Sequence, residues 1–259
     1  MARATYYYNI KDREDKYDDL RKAIVRIYEK NKGRYGYRRV YLQLREEGHK
    51  VNHKTIAKLM NEMGLRALRK KKRYHSYKGT VGKIAPNVLK RDFATDAPNR
   101  KWTTDVSQIE IQGKKCYLSP ILDMWNGEVM SFVISDRPDL KMVTDMLQKA
   151  FRKHQTLDHL IMHSDQGWHY QHAQYQRLLR EHGITQSMSR KGNCLDNSMM
   201  ENFFGLMKNE LLYPNQWDDI ETFKAALKQY IRYYNNERIK LKLKMSPVQY
   251  RTHFQNQVK

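Results

Sequence analysis

The sequence predicts an α/β fold, a mixed sheet flanked by helices, preceded by a small all-α helix-turn-helix-like domain. Two observations predict it. Apolar residues recur at helical spacing between residues 16 and 63, and from Lys101 the pattern changes to strict alternation. A three-strand meander then gives way to alternating helices and strands, an order that needs helices on both faces of its sheet.

In the front part, Leu20, Ala23, Ile24 and Ile27 share one face of a first helix. Val40 and Leu44 mark a second helix that ends by Gly48. Asn52 can cap a third, whose buried stripe is Ile56, Leu59, Met60 and Met63 before Gly64. Two short helices around a Gly-containing turn read as a helix-turn-helix. Lys54 and Lys58, four apart, occupy the face that the stripe leaves free and are expected to contact DNA. The continuation "RALRKKKR" adds Arg69, Lys70, Lys71, Lys72 and Arg73, a cluster suited to phosphates. Residues 74–100 hold Gly79, Gly82, Pro86 and Pro98 without a sustained period and read as a linker.

Beyond it, "WTTDVSQIEI" places Asp105, Ser107, Ile109 and Ile111 on one side of a strand, and turns at Gln112-Gly113 and Asn126-Gly127 lead into two more. Pro138 and Asp139 open a helix. "HLIMHSD" is a short buried strand ending at Asp165, a helix from about His172 stops at Gly183, and "ITQSMS" is another strand. A loop with Gly192 and Asn193, expected to be mobile, precedes the helix of Glu201. Met199, Phe203, Leu206 and Met207 are expected to anchor that helix. Asp218-x-x-Glu221 resembles a capping box for a strongly amphipathic final helix from Ile220 to Tyr234. The expected domains are 1–73, the linker 74–100, a catalytic core 101–236, and a basic tail 237–259.

Charge narrows the partners. The net charge of +21 favours a polyanion, because Lys and Arg release condensed counterions from nucleic acid. Residues 1–100 hold 27 Lys or Arg against 11 Asp or Glu, whereas residues 101–259 hold 22 against 17, so the front is the binding arm. No run of about 18 apolar residues and no secretory signal is seen, which leads to the expectation of a soluble, cytoplasmic, nucleoid-associated protein with no membrane partner. Cys116 and Cys194 cannot build a disulfide framework or complete a zinc site. His49 and His53, four apart, have no cysteine before Cys116 to join them, and they read as ordinary helix-flank histidines.

Asp105, Asp165 and Glu201 are the candidate catalytic and metal-ligating residues. Two of them sit on or beyond strands, where open α/β sheets place their sites. Phosphoryl transfer needs charge neutralisation and an activated hydroxyl, and hard carboxylate oxygens suit Mg²⁺ or Mn²⁺. The spacing makes the pattern specific, with 59 residues between Asp105 and Asp165 and 35 between Asp165 and Glu201.

With "WTTDVS", "HSDQG" and "DNSMMENFFGLMKNE", this chain resembles retroviral integrase cores and the integrase-like insertion-sequence transposases, particularly the second-frame (OrfB) protein of the family numbered three. "GRYGYRRV" matches that family's N-terminal helical module and "YYNNERIKLKLKMSPVQYR" its C-terminal signature. The resemblance implies an RNase H-like core and a metal-binding triad of Asp105, Asp165 and Glu201. It adds Lys208, two turns after Glu201, as a contact to donor DNA, and Asn197, one turn before, to orient DNA or a ligand water. It implies the first-frame (OrfA) protein as a partner or fusion, and handling two DNA ends leads to the expectation of a homo-oligomer. The departures are "WHYQHAQY" after "HSDQG", where His169 and His172 are expected at the surface, and Lys240 where the family usually has His.

The reading is a transposase that cleaves a DNA strand at the element end and joins the new 3′-OH to another phosphodiester. A nuclease on the same fold and a non-catalytic DNA-binding regulator are the alternatives.

Overall fold

The computed structural model describes residues 16–68, 82–154, 157–190 and 194–258. The chain divides into two compact units, Met1–Arg69 and Lys70–Lys259. In the first, helices α1 (Asp18–Lys30), α2 (Tyr37–Glu46) and α3 (His53–Glu62) bury the predicted stripes, with Ile24, Ile27, Val40, Leu44, Ile56, Leu59 and Met60 at its centre. Asn52 caps α3 by accepting from the Lys54 N–H at 2.8 Å. Gly48 and Gly64 follow α2 and α3 with φ of +89° and +70°, left-handed positions that release the chain from each helix.

The second unit is a six-stranded mixed sheet between helices. Its strands are β1 (Lys101–Thr104), β2 (Ser107–Ile111), β3 (Lys114–Asp123), β4 (Val129–Ser135), β5 (Ile161–Ser164) and β6 (Thr185–Met188). β1 and β2 both pair antiparallel with β3, in one unbroken register from Trp102↔Asp123 to Ile111↔Lys114. They are therefore one strand interrupted at Asp105 and Val106. That register sets Asp105 against Pro120, which has no N–H to offer the ladder, so the strand opens where the carboxylate sits. β4 lies on the other side of β3, while β5 runs parallel to β1 and β6 parallel to β5.

One face of the sheet is covered by α4 (Leu140–Lys153), α5 (Trp168–Gln171) and α6 (Ala173–Glu181). There Met142, Val143, Met146, Leu147, Tyr175 and Leu179 meet Trp102, Ile121 and Met162. The other is covered by α7 (Ser198–Met207) and α8 (Ile220–Asn236), whose Met200, Phe203, Met207, Phe223 and Tyr230 meet Ile109, Cys116, Leu118 and Leu122. Burying such side chains is worth about 1.5–3 kcal/mol each, and both helical layers depend on it.

Three expectations are corrected. The residues anchoring α7 are Met200, Phe203, Phe204 and Met207, so Met200 and Phe204 replace Met199 and Leu206, which are only partly buried. The cap of α8 is Asp219, which accepts from the Thr222 N–H at 2.7 Å; Asp218 lies one residue outside.

The segment expected as a tail contains helix α9 (Pro247–Val258). Its weak apolar periodicity hid it. It is held instead by Arg251, whose guanidinium donates to Asp123 Oδ2 at 2.7 Å and Glu128 Oε2 at 2.5 Å, and by Tyr250 and Phe254 against Trp125. Residues 82–100 likewise pack on the second unit, where the Val88 and Leu89 N–H groups donate to the buried Ser187 hydroxyl oxygen.

Candidate active site

Asp105 and Asp165 are brought together by strand register. β1 and β5 pair as Lys101↔Ile161, Trp102↔Met162 and Thr103↔His163, and the same 60-residue offset separates Asp105 from Asp165. Parallel neighbours lie about 4.8 Å apart, so the two side chains leave their strands side by side. Asp105 Oδ1 accepts from the Val106 N–H at 2.7 Å, and Asp165 Oδ1 from the Gly167 N–H at 2.8 Å. Gly167 is required here by space. A β-carbon on it would stand 2.9 Å from Asp165 Oδ1 and 3.3 Å from the Tyr170 ring.

Electrostatics tie the rest of the constellation to this pair. Burial pushes the Asp105 carboxyl well above the usual carboxylate range, with the Asp165 charge next in size; Glu201 pushes the same way, while Lys208 opposes. Asp165 is raised by burial too, against the Gly167 N–H and the charge of His169. Lys208 is lowered by burial and raised by Asp105. Glu201 and Lys208 therefore both reach Asp105 electrostatically, from the first turn of α7 and from the π-helical turn Lys208–Leu212 that follows it. Glu201 itself is exposed on the rim.

Each aspartate keeps its Oδ2 clear of hydrogen bonds among the described residues. Two hard oxygen donors, adjacent and mutually repelling, suit a divalent cation such as Mg²⁺ or Mn²⁺. Among the described residues no three His, Cys, Asp or Glu side chains are grouped closely enough to hold a metal ion.

The other expected site residues fall differently. Asn197 is 5% exposed; its Oδ1 accepts from the Thr103 hydroxyl at 2.6 Å and its Nδ2 donates to the Thr104 carbonyl at 3.4 Å, so it is turned into the core. Lys54 and Lys58 are exposed on α3 as expected, Lys58 lying 3.8 Å from Glu62. Arg69, Lys70, Lys71, Lys72 and Arg73, with Gly192 and Asn193, lie outside the described residues.

His169 is not at the surface: it is buried, with Nε2 2.7 Å from the Pro138 carbonyl, and burial lowers its pKa. His172 is exposed and caps α6, its Nδ1 accepting from the Gln174 N–H, the duty a small hydroxyl residue performs. Lys240 packs over the Tyr234 ring with a pKa lowered to about 8 by burial.

Two residues were missed from sequence. Tyr170 is buried beneath the aspartates, its hydroxyl raised by burial and by the charges of Asp105 and Asp165. Asp196 is buried and held far below the usual carboxylate range, chiefly by Arg190. Its place five residues before Glu201, beside Asn197, was the available signal.

A mixed sheet with carboxylates at a broken strand and a neighbouring strand end fits the RNase H-like core that the sequence leads one to expect. Residues 95–194 and 201–254 match the family descriptions "Integrase core domain", and residues 16–73 match "HTH-like domain". The putative transposase InsK of insertion sequence element IS150 from Escherichia coli K12 is 51% identical over 97% of this chain and 90% of its own length. An uncharacterized transposase-like protein of Haemophilus influenzae is 47% identical over 78% of this chain and 94% of its own. A simian T-cell lymphotropic virus intasome structure, in complex with PP2A regulatory subunit B56 gamma, shares the fold with TM-score 0.51 at 16% identity, covering 78% of this chain and 68% of that one. The chain belongs to the insertion-sequence transposases built on an integrase core, the class of DDE polynucleotidyl transferases. No helix among the described residues is long and apolar enough to cross a membrane.

Proposed function

We propose that Asp105, Asp165 and Glu201 are the catalytic residues of this transposase and together hold divalent cations, Mg²⁺ or Mn²⁺, for strand cleavage at the element end and strand transfer into target DNA. The observation that carries this reading is the shared register of Asp105 and Asp165, with Glu201 in electrostatic reach. Bound there, the cations would neutralise charge on the transferring phosphate and acidify the attacking hydroxyl. Asp105 and Asp165 fix the position of the scissile phosphodiester from the sheet, Glu201 closes on it from α7, and Lys208 adds a positive charge beside Asp105 toward the donor strand. Tyr170 and the apolar layer beneath it exclude water from below.

The helical region, residues 1–73, supplies DNA binding through Lys54, Lys58 and the cluster Arg69 to Arg73, with 74–100 as connector, 101–236 as the catalytic core and 237–259 closing that core. Handling two element ends calls for a homo-oligomer, and the first-frame protein, as partner or fusion, contributes to end recognition. A bacterial cytoplasmic location at the nucleoid follows from the DNA substrate.

The test is Mg²⁺-dependent cleavage and joining of DNA carrying the element's own ends. Wild type should yield joined product. Asp165→Asn and Glu201→Gln should lose both steps by at least about 10³-fold while retaining DNA affinity. Joining by either variant at wild-type rate would overturn the assignment, and cleavage without joining in the wild type would make the protein a nuclease.

A further inference from the structure

Helix α7 carries Glu201 but makes no backbone pairing with the sheet, so something else must set where its first turn stands. Beside the apolar anchors Met200, Phe203, Phe204 and Met207, two consecutive polar side chains fix its start. Asp196, 1% exposed, accepts from Arg190 Nε and Nη2 at 3.0 Å each, the Arg190 backbone N–H at 3.0 Å, Arg91 Nε at 2.8 Å and Asn87 Nδ2 at 3.1 Å. This fastens the start of α7 to the end of β6 and to the segment 87–91, which is itself fixed to β6 through Ser187. Asn197 fastens the same turn to Thr103 and Thr104, the residues leading into Asp105. One tie sets the helix against the edge of the sheet, the other against the strand that bears the first aspartate.

We propose that Asp196 and Asn197 are positioning residues that set the distance from Glu201 to the Asp105–Asp165 pair, and with it the protein's affinity for the divalent cation. Neither touches the cation or the DNA. Arg190 and Arg91 keep side-chain exposures of 58% and 44%, so the clamp has an outer surface while its carboxylate is sealed inside. Residues that orient metal ligands typically change metal affinity by about 10–100-fold when altered, through the ligand they hold. The inference rests on Glu201 being a metal ligand, and its test separates the two ideas.

Mn²⁺ binding to the full-length protein is measured by calorimetry in the absence of DNA, for wild type, Asp196→Asn, Asn197→Ala, Glu201→Gln and each double variant with Glu201→Gln. Near-UV circular dichroism and affinity for end DNA serve as controls. Asp196→Asn and Asn197→Ala are each expected to weaken Mn²⁺ binding by about 10-fold, with DNA affinity within about twofold of wild type. Added to Glu201→Gln, neither should weaken it further, because the ligand they position is already gone. Full additivity in the double variants, or unchanged Mn²⁺ affinity in both single variants, overturns the proposal. If Glu201→Gln alone leaves Mn²⁺ affinity unchanged, the ligand assignment fails first and the inference falls with it. Should Asp196→Asn not fold, Arg190→Gln removes two clamp bonds from an exposed side chain and must shift Mn²⁺ affinity in the same direction; no shift overturns the proposal.

Discussion

Asp105 and Asp165 occupy equivalent positions on adjacent parallel strands, separated by the 60-residue offset that pairs Lys101 with Ile161. Two carboxylates in that relation repel each other, and both are raised above the usual value of 3.8. As pH rises from about 4, an unfolded chain gives up these protons while the folded one retains them, so the native state binds more protons and its stability falls across the window above 3.8. Asp105→Asn removes the repulsion. In the absence of divalent ions it should raise the melting temperature at pH 7, by about 2–4 °C for each kcal/mol relieved, with no comparable gain at pH 4. Mg²⁺ should stabilise the wild type more than the variant. Thermal unfolding at both pH values, with and without Mg²⁺, checks all three.

Gly167→Ala tests how tightly the second aspartate is set. The backbone there is ordinary for any residue, so the effect comes from the added β-carbon pressing on Asp165 Oδ1. Displacing a catalytic group by a fraction of an ångström costs about 10–100-fold in rate. Single-turnover joining should fall by that amount with DNA affinity unchanged.

The buried pair Arg238–Glu210 should matter to stability through its asymmetry. Arg238 Nη2 donates to Glu210 Oε1 at 2.6 Å and Nε to Oε2 at 2.8 Å, and the Tyr230 hydroxyl donates to the same carboxylate at 3.0 Å. The two side chains are 2% and 7% exposed. Arg238→Ala leaves a buried carboxylate without its cation and should cost about 3–5 kcal/mol, whereas the double change Arg238→Met with Glu210→Leu should cost much less. Urea unfolding of the three proteins measures the difference.

At the start of α8 the competing aspartates are distinguishable. Asp219→Ala removes the bond to the Thr222 N–H and should destabilise by about 1 kcal/mol. Asp218→Ala, one position outside the helix, should change the denaturation midpoint by less than half as much.

Elements with a periodic apolar face were legible from the chain: α3 with Ile56, Leu59 and Met60, and β2 with Ser107, Ile109 and Ile111 buried in alternation. So was the boundary set by Asn52, whose cap depends only on its neighbours. Helix α9 was not, because what holds it is Arg251 reaching Asp123 and Glu128, residues more than a hundred positions away. His169 was misplaced for the same reason. A polar side chain is stable inside once it meets a carbonyl such as that of Pro138, and no local pattern announces that partner.

The sequence by itself determined which residues are the candidates for the chemistry, since the spacing of Asp105, Asp165 and Glu201 and the motifs around them belong to the chain and need no coordinates. Only the tertiary structure decided how those residues are arranged. The 60-residue separation of the aspartates became adjacency because it equals the register of two parallel strands, and Asp105 stands in a gap because Pro120 opposite it cannot donate. The division of labour in α7 was likewise tertiary. Asn197 shares a helical face with Glu201 in sequence, yet the Thr103 hydroxyl and Thr104 carbonyl draw it inward, leaving Glu201 at the rim. Helical spacing ranks residues by direction, but burial depends on which polar partners wait on the neighbouring strand.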